Sequence, residues 1–442
     1  MEEMRRWMQQ HKEEMLEDMG DLIRVRSVAG PAGKEGPFGR ECREALNIML
    51  ELGRRYGFGT VDWDGYCGEI RFGQGSGGIG VWGHLDVVPE GSGWSYPPYE
   101  LTVKDGFLIG RGVQDNKGPL MAVLYAMRFL KESGYAPKKP IRLIFGCDEE
   151  DGMEDVDYFM AHAPHPEVSF VADCGFPVCR GEKGILRIRL EKDMKEGCIR
   201  EMGGGQAVNI VPDYAWAELE TGEKTVREEA FGIAGHAAFT GDSRNAIYEL
   251  CRKLYGWPLS DRERNWIETL EELSRDGLGV GAGIACEDAD SGKLTCNLGR
   301  VQMMDGRCEA ELDIRYPVTA KSGPILEVFE RMGRERSFQV HVLSDAHPFC
   351  MGEDEPLIRC LLDTYHMIMK DDCPAYVMGG GTYAKKIPHA AGFGPGLDQH
   401  LERLGFSGAR GQCHSADEAQ LFDNLELASV IYAEALKQLD KL

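Results

Sequence analysis

Short apolar runs alternate with a helical pattern over the first part of the chain. Three runs, Gly78–Trp82, Ile141–Cys147 and Val168–Ala172, have the β-branched and aromatic composition of strands that are buried on both faces. Between the first two, Pro119–Glu132 repeats apolar residues at every third or fourth position, which predicts a helix. Strands separated by helices form an α/β layer, so we expect a mostly parallel sheet flanked by helices.

Residues that commonly bind metals follow these strands and precede the helix. They are His84 and Asp86 after the first run, Asp115 before the helix, Asp148 to Asp151 after the second run, and Asp173 after the third. Each has an ordinary explanation: a strand-end histidine, a helix-capping aspartate or a solvated acidic turn. Together they are harder to explain, because open α/β sheets bind ligands at the carboxyl ends of their strands. The set matches a two-metal hydrolytic site and favours zinc, with manganese or cobalt as alternatives.

The pattern of apolar and polar residues changes near Gly184. Alternating apolar and polar residues at 185–190 and 308–316 suit a sheet with one solvated face. The helical pattern of the first part then returns, with a predicted helix at Leu357–Met369 and a closing helix at Asp417–Lys441. The expected organisation is one domain in two parts, residues 1–183 and 348–442, with a second, α+β domain inserted between them at residues 184–347.

Composition excludes several classes of protein. The chain has 442 residues, of which 50 are basic and 73 acidic, and it lacks the basic stripe of a nucleic-acid binder. No segment approaches the roughly 18–20 consecutive apolar residues of a membrane span. The first helix is expected to be amphipathic, and its charges argue against a signal peptide. We expect a cytoplasmic protein with reduced cysteines and no nucleic-acid or membrane partner.

A glycine-rich run, Gly73–Gly78, matches the GxGxxG pattern of dinucleotide-binding proteins. That motif requires a helix directly after it, whereas a strand is predicted here, so we expect a hairpin turn. An oxidoreductase is therefore a weaker hypothesis than a hydrolase.

The successive motifs GHLDVVP, GVQDNKGP, DEE and VADCGFP resemble those of the zinc-dependent dipeptidase, aminoacylase and deacetylase family, and are most similar to PepV-type bacterial dipeptidases. The resemblance implies a zinc-exopeptidase-like catalytic domain that holds two zinc ions, with Asp115 as the bridging ligand. It also implies that Asp86 orients His84 and that Glu149 is the general base. The implied metal ligands are His84, Asp115, Glu150, Asp173 and a late histidine, which is His414 in the motif QCHSADE, with His389 and His400 as competitors.

The second domain resembles the lid of the same family. The resemblance implies that His236, in the sequence GHA, polarises the scissile carbonyl and stabilises its oxyanion. Asn209 and Arg315 match positions that hold the terminal carboxylate of a dipeptide, a task that suits a guanidinium group. Without the resemblance, His236 would be a core or surface histidine, and Arg315 would be a surface charge on an alternating strand.

In a second glycine-rich run, GGGTY, the resemblance implies two further residues at the substrate, Gly380 and Thr382. The chain departs from the family's usual pattern at Thr240, Ser243 and Lys385. These departures concern the substrate pocket and leave the metal ligands intact.

The expected activity is hydrolysis of the amide bond of dipeptides with a free C-terminal carboxylate, by a water molecule held between two metal ions. One alternative is an N-acyl amino acid deacylase of the deacetylase or desuccinylase type, and another is a metal- or peptide-binding protein without catalysis. The predicted lid is longer than the lids of dimeric relatives, which favours a monomer over a homodimer.

Overall fold

The computed structural model describes residues 2–195, 197–222, 224–238, 241 and 243–442. The chain forms two compact units. The first consists of Met1–Arg180, Met351–Tyr376 and Thr382–Leu442, and the second of Gly181–Cys350 and Val377–Gly381. Nothing in the sequence pattern indicates that Val377–Gly381 belongs with the second unit. Thr240, one of the departures noted above, lies outside the described residues.

The helices of the described chain are distributed over both units. In chain order they are α1 Glu2–Gln10, α2 Lys12–Ile23, α3 Arg40–Arg55, α4 Lys117–Glu132, α5 Glu154–His162, α6 Ala246–Leu254, α7 Asp261–Ser274, α8 Ser322–Arg336, α9 Pro356–Met369 and α10 Phe422–Leu439. Helices α6 to α8 belong to the second unit and the others to the first. None of the described helices is long and apolar enough to cross a lipid bilayer.

The main sheet of the first unit has a parallel centre and antiparallel edges. Seven of its described strands are, in spatial order, Gly59–Trp63, Cys67–Phe72, Ile141–Gly146, Ile79–His84, Val168–Val171, Ala390–Gly392 and Cys179–Glu182. The four strands from Ile141–Gly146 to Ala390–Gly392 are parallel, and the pairings outside them are antiparallel. Helix α4 is buried from Lys117 to Leu130, and it packs against α10 and the strand Ile79–His84. The predicted α/β catalytic fold is thus confirmed.

The second unit contains an antiparallel sheet of seven strands. In spatial order they are Lys224–Phe231, Tyr214–Thr221, Ile199–Gly204, Thr295–Met304, Arg307–Tyr316, Gly184–Asp193 and Gln339–Ala346. Burial alternates along Gly184–Asp193, as the sequence pattern predicts for a sheet with one covered face. That face packs against α6, α7 and α8 around the fully buried Trp266.

Short strands complete the fold. They are Thr102–Lys104, Phe107–Ile109, Cys174–Gly175, Ile210–Val211, Gly235–His236, Glu287–Asp288, Gly292–Lys293, Phe349–Cys350, Tyr376–Met378, Pro395–Gly396 and Ala419–Leu421. Two 3₁₀ turns lie at Tyr383–Lys385 and Leu401–Leu404. None of the fourteen cysteines, all of which lie in the described residues, forms a disulfide bond.

Three local predictions are wrong in their details. The N-terminal helix is divided into α1 and α2 at His11, while the buried methionine face continues across the break, so periodicity alone did not reveal it. Helix α10 begins at Phe422 rather than Asp417, because Ala419–Leu421 forms a strand with Phe107–Ile109. Gly73–Gly78 is a loop and not a hairpin turn, because the strand Ile141–Gly146 lies between the strands that the loop connects.

Candidate metal centre

Two neighbouring parallel strands place His84 and Asp173 at one edge of the sheet. His84 is the last residue of its strand, and Asp173 follows the end of Val168–Val171. Asn116 joins the two positions: its side-chain oxygen accepts a hydrogen bond from the backbone N–H of His84 at 3.2 Å, and its amide nitrogen donates to Asp173 Oδ1 at 3.0 Å. The strand ends are therefore fixed relative to each other by a buried side chain of the loop that precedes α4.

Asp115 lies at the centre of the cluster. Its Oδ1 is 2.9 Å from Nε2 of His84, and its Oδ2 is 2.9 Å from Nε2 of His414. Further contacts extend the group on both sides, with His84 Nε2 3.6 Å from Asp173 Oδ2 and His414 Nε2 3.1 Å from Glu150 Oε1. Each carboxylate oxygen of Asp115 thus faces a different imidazole, as a carboxylate between two cations would.

The acidic turn after Ile141–Gly146 brings Glu149 and Glu150 to the same place. The backbone N–H of Glu150 donates to Asp86 Oδ2 at 3.0 Å, and Asp86 Oδ1 lies 3.3 Å from His84 Nδ1. The carbonyl oxygen of Asp86 is nearer to that Nδ1, at 3.0 Å. Asp86 therefore contacts both His84 and the turn, and its backbone as well as its carboxylate faces the imidazole.

Glu149 has a side-chain oxygen that no hydrogen bond from a described residue satisfies, as does Asp86 at Oδ1. The Glu149 Oε1 is buried and makes no hydrogen bond to any described residue. Ligand atoms of His84, Glu149 and Asp173 all lie within 4.8 Å of one another, and so do those of His84, Asp115 and Glu150. Imidazole with carboxylates at such distances is a donor set that suits zinc and related divalent cations, so the residues present fit a metal centre.

The two imidazoles are held in a strongly acidic surrounding. Burial opposes a positive charge on both, but the neighbouring carboxylates outweigh it. The pKa of His84 lies well above its usual value because of Asp173 and Asp86. The pKa of His414 is raised to about 11 by its hydrogen bonds with Asp115 and Glu150. In the metal-free chain the imidazoles therefore neutralise part of the negative charge of the cluster.

The pKa values of the carboxylates in the cluster are shifted in opposite directions. Burial raises the pKa of Glu149 well above its usual value, with Asp173 adding to the effect, and burial together with Asp115 raises the pKa of Glu150 to about 7. Burial and Asp115 likewise raise the pKa of Asp173. The pKa of Asp115 is lowered, because its two imidazole partners overcome the effect of burial. A cation in the cluster would relieve this repulsion.

The structure distinguishes the three candidate late histidines. His414 faces Asp115 and Glu150, as described above. His400 is exposed and lies near Asp398 and Glu402, at 3.4 and 3.7 Å. His389 is also exposed, and its carbonyl oxygen accepts a hydrogen bond from the backbone of the strand Val168–Val171. Of the three, His414 is the one whose side chain contacts the cluster.

The residues that the sequence assigns to substrate binding lie mostly in the second unit. His236 is exposed in a short strand that pairs with Ile210–Val211, directly after Asn209. Arg315 is almost fully buried, and its guanidinium binds the Asp313 carboxylate and donates to the carbonyl oxygen of Gly379 at 3.1 Å.

Gly380 and Thr382 fall on different sides of the boundary between the units. Gly380 belongs to the second unit, and Thr382 belongs to the first. Thr382 is buried, and its hydroxyl accepts a hydrogen bond from the backbone of Ala384 at the start of the 3₁₀ turn.

Several residues behind the cluster were not singled out from the sequence. Glu418 and Asp155 are fully buried carboxylates that bind the backbone of the loops carrying the cluster. Tyr383 donates to Asp155, and its ring lies edge-on to that of His84. The available signal was weak: Glu418 stands inside the quoted closing motif, and Asp155 resembles a solvated residue in the first turn of a helix.

An α/β unit that gathers two imidazoles and several carboxylates at the carboxyl edge of its parallel strands has the architecture of a metal-dependent hydrolase. The chain belongs to peptidase family M20/M25/M40, whose sequence model matches residues 80–438.

Curated relatives and solved structures agree with this family. The chain is 31% identical to YtjP of Bacillus subtilis (strain 168), with coverage of 97% of this chain and 98% of the relative. It is 28% identical to the Beta-Ala-Xaa dipeptidase of Lactobacillus delbrueckii subsp. lactis, with 97% of both chains covered.

Among structures, human carnosine dipeptidase 1 superimposes with a TM-score of 0.65 and 15% identity, covering 100% of this chain and 99% of that one. The dipeptidase Dug1p of Saccharomyces cerevisiae gives a TM-score of 0.64 and 14% identity, covering 99% and 98%. At this identity the two structures support the fold.

Proposed function

We propose that the chain is a dipeptidase that cleaves dipeptides with a free C-terminal carboxylate and holds two divalent cations, zinc in the first instance. The observation that carries the two-metal assignment is the position of Asp115, whose two oxygens each face a different imidazole at 2.9 Å. His84, Asp115 and Asp173 would hold one cation, and Asp115, Glu150 and His414 the other. The dipeptidase activity named for the Lactobacillus delbrueckii relative supports the choice of substrate.

Bound divalent cations would lower the pKa of water and polarise the scissile carbonyl. Glu149 supplies the proton transfer: its buried Oε1 makes no hydrogen bond among the described residues, so it is available to the attacking water. As the water oxygen bonds to the carbonyl carbon, Glu149 takes one of its protons. The carbon–nitrogen bond then breaks, and Glu149 gives that proton to the leaving amine.

The second unit is proposed to act as the lid that recognises the substrate. Arg315 is suited to bind the terminal carboxylate, because Asp313 and the carbonyl of Gly379 fix the orientation of its guanidinium. His236 is proposed to stabilise the developing oxyanion, and Asn209 lies beside it because the carbonyl oxygen of Asn209 accepts a hydrogen bond from Ala237 N at 2.8 Å. Gly380 and Thr382 are proposed as further substrate-binding residues.

The decisive variant is Glu149→Ala. Removing a positioned general base is expected to lower kcat by about 10²–10⁴-fold, while the metal content stays the same because the proposed ligands are untouched. Asp151→Ala is the matched control, since Asp151 is an exposed carboxylate of the same acidic turn. Turnover and bound metal are measured for both variants. Full activity in Glu149→Ala would exclude the proposed base.

A substrate screen separates the proposed function from its alternatives. Purified chain is loaded with zinc, manganese or cobalt and assayed on dipeptides beside N-acetyl and N-succinyl amino acids. Cleavage of dipeptides supports the proposal, whereas cleavage of the acylated amino acids alone indicates a deacylase. Metal binding without hydrolysis of any substrate indicates a binding protein. Gel filtration tests the proposed monomer, and an obligate dimer would contradict it.

A further inference from the structure

The carboxylate of Glu418 is fully buried behind the proposed metal centre. Its Oε1 accepts backbone hydrogen bonds from Gly112 at 3.1 Å, Gln114 at 2.8 Å and Asp115 at 3.3 Å. Its Oε2 accepts from Arg111 Nη1 at 2.6 Å. One buried carboxylate thus fixes the backbone of the loop that ends in Asp115, the residue between the two imidazoles.

Glu418 also belongs to the segment that carries His414, since it follows that histidine by four residues. The Gln114 side chain strengthens the connection, because its amide nitrogen donates to the carbonyl oxygens of Gly411 and Ala419, both at 2.6 Å. The loop of Asp115 and the segment of His414 are therefore held together as one hydrogen-bonded unit.

The neighbouring residue fixes the same segment from another direction. Asp417 is fully buried and accepts hydrogen bonds from the backbone of Ser95 at 2.7 Å and Tyr96 at 3.1 Å, and it also pairs with Arg410. The segment after His414 consequently has little freedom to shift, and the geometry that Glu418 imposes is transmitted to the ligands.

We propose that Glu418 is a positioning residue of the metal centre, which sets the separation of Asp115 and His414 through the Gly112–Asp115 backbone. This inference rests on the proposed function, because it assumes that those two residues bind the metals. A buried charge is costly unless it is paired and hydrogen-bonded, and Arg111 with three backbone amides meets that condition. Partners that orient metal ligands typically change metal affinity by about 10–100-fold when they are mutated.

The variant that tests the proposal is Glu418→Gln. Glutamine keeps the size of the side chain but has one acceptor oxygen and one amide that donates, so either Arg111 or the backbone amides of the loop face a donor. We expect zinc affinity, measured by competition with a chromogenic chelator, to fall by about 10–100-fold. Thermal unfolding of the metal-free protein measures the accompanying loss of stability.

Glu69→Gln is the matched control. Glu69 is also fully buried and pairs with Arg142 at 2.6 Å and with Arg71 at 2.6 Å, but none of its described partners belongs to the metal centre. We expect this variant to lose stability while its zinc affinity stays within about twofold of the wild type. A purely structural role for Glu418 would instead give the two variants the same, unchanged metal affinity.

A milder variant, Arg111→Lys, addresses the case in which Glu418→Gln does not fold. Lysine keeps the charge but loses the fixed fork that holds Glu418, and we expect zinc affinity to fall by at least about threefold. Unchanged affinity in Glu418→Gln, or in Arg111→Lys when the former does not fold, overturns the proposal. An equal loss in Glu69→Gln overturns it as well. A wild-type chain that binds no divalent metal overturns the proposed function itself.

Discussion

Asp155 provides a test of how the turn carrying Glu149 and Glu150 is held. Its carboxylate is fully buried and accepts hydrogen bonds from the backbone of Cys147 at 2.7 Å and Asp148 at 2.8 Å, and from the Tyr383 hydroxyl, all at Oδ2. Oδ1 accepts a fourth hydrogen bond, from its neighbour Val156 at 2.7 Å. The substitution Asp155→Asn keeps the shape of the side chain and leaves a single acceptor oxygen.

The expected loss of stability follows from these four hydrogen bonds. The asparagine oxygen can replace Oδ2 and keep three donors satisfied, but its amide then faces the N–H of Val156. One buried donor left without an acceptor costs about 1–3 kcal/mol of unfolding free energy. Because Cys147 and Asp148 lead directly into the two glutamates, a shift of their backbone also misplaces Glu149. A misplacement of about 1 Å can cost 10²-fold in rate, so we expect kcat to fall at least tenfold.

Asp440 offers a closely matched control. It is almost fully buried, and it also accepts hydrogen bonds from two consecutive backbone N–H groups, Lys138 at 2.9 Å and Lys139 at 2.7 Å, and from a tyrosine hydroxyl, Tyr135 at 2.7 Å. None of these partners belongs to the metal centre. We expect Asp440→Asn to lose a similar 1–3 kcal/mol, on the order of one hydrogen bond, and to keep kcat within about twofold of the wild type.

The assay combines urea unfolding of both variants with kinetics at saturating metal. It is run at pH 8, because burial and the charge of Asp86 raise the pKa of Asp155 to about 7, and the wild-type carboxylate is ionised above that pH. If Asp155→Asn keeps wild-type stability and kcat, the four hydrogen bonds do not have the assigned role. If Asp440→Asn loses as much kcat, the effect of Asp155→Asn is a general consequence of lost stability.

Three further outcomes are expected. Since the pKa of His414 is raised to about 11, its imidazole is protonated at neutral pH and must lose the proton when a metal binds. Metal affinity should therefore rise with pH below that value, and calorimetry in buffers of different ionisation enthalpy should detect proton release; no release would contradict it. Lys117→Met removes the donor that binds the carbonyl oxygens of Leu22 and Val25. Each carbonyl left without a donor should lower the unfolding free energy by about 1–3 kcal/mol, as measured in a urea titration. Removing metal with a chelator should abolish activity and lower the thermal midpoint, and restored metal should reverse both changes.

The sequence predicts the parts of the centre that are local. His84, Glu150 and Asp173 each come within a few residues of the end of an apolar strand, so their position at one sheet edge follows from the pattern of the strands. Asp115 precedes a helix with a clear period, and its place can be inferred in the same way. His414 has no such context and was assigned through the family's closing motif.

Contacts between distant parts of the chain could not be predicted. Glu418 binds the backbone of Asp115 across 303 positions of sequence, and nothing near either residue indicates the pairing. The start of α10 was misplaced for the same reason, because the strand Ala419–Leu421 exists through its partner Phe107–Ile109. Asp155 resembles an exposed acidic residue at the start of a helix, and its burial depends on Tyr383, 228 positions away.

These distant contacts hold together the loops that carry the cluster. The ligand cluster concentrates negative charge, and without a cation its members repel one another, so the loops would tend to separate. Glu418 holds the loop of Asp115, Asp155 holds the approach to the two glutamates, and Asn116 joins His84 to Asp173. Each buried group costs desolvation energy. The two carboxylates are satisfied by several donors, and the Asn116 amide both accepts and donates hydrogen bonds. A scaffold of this kind would keep the proposed ligands in place before metal binds, which is the condition for tight metal binding and for a correctly placed base.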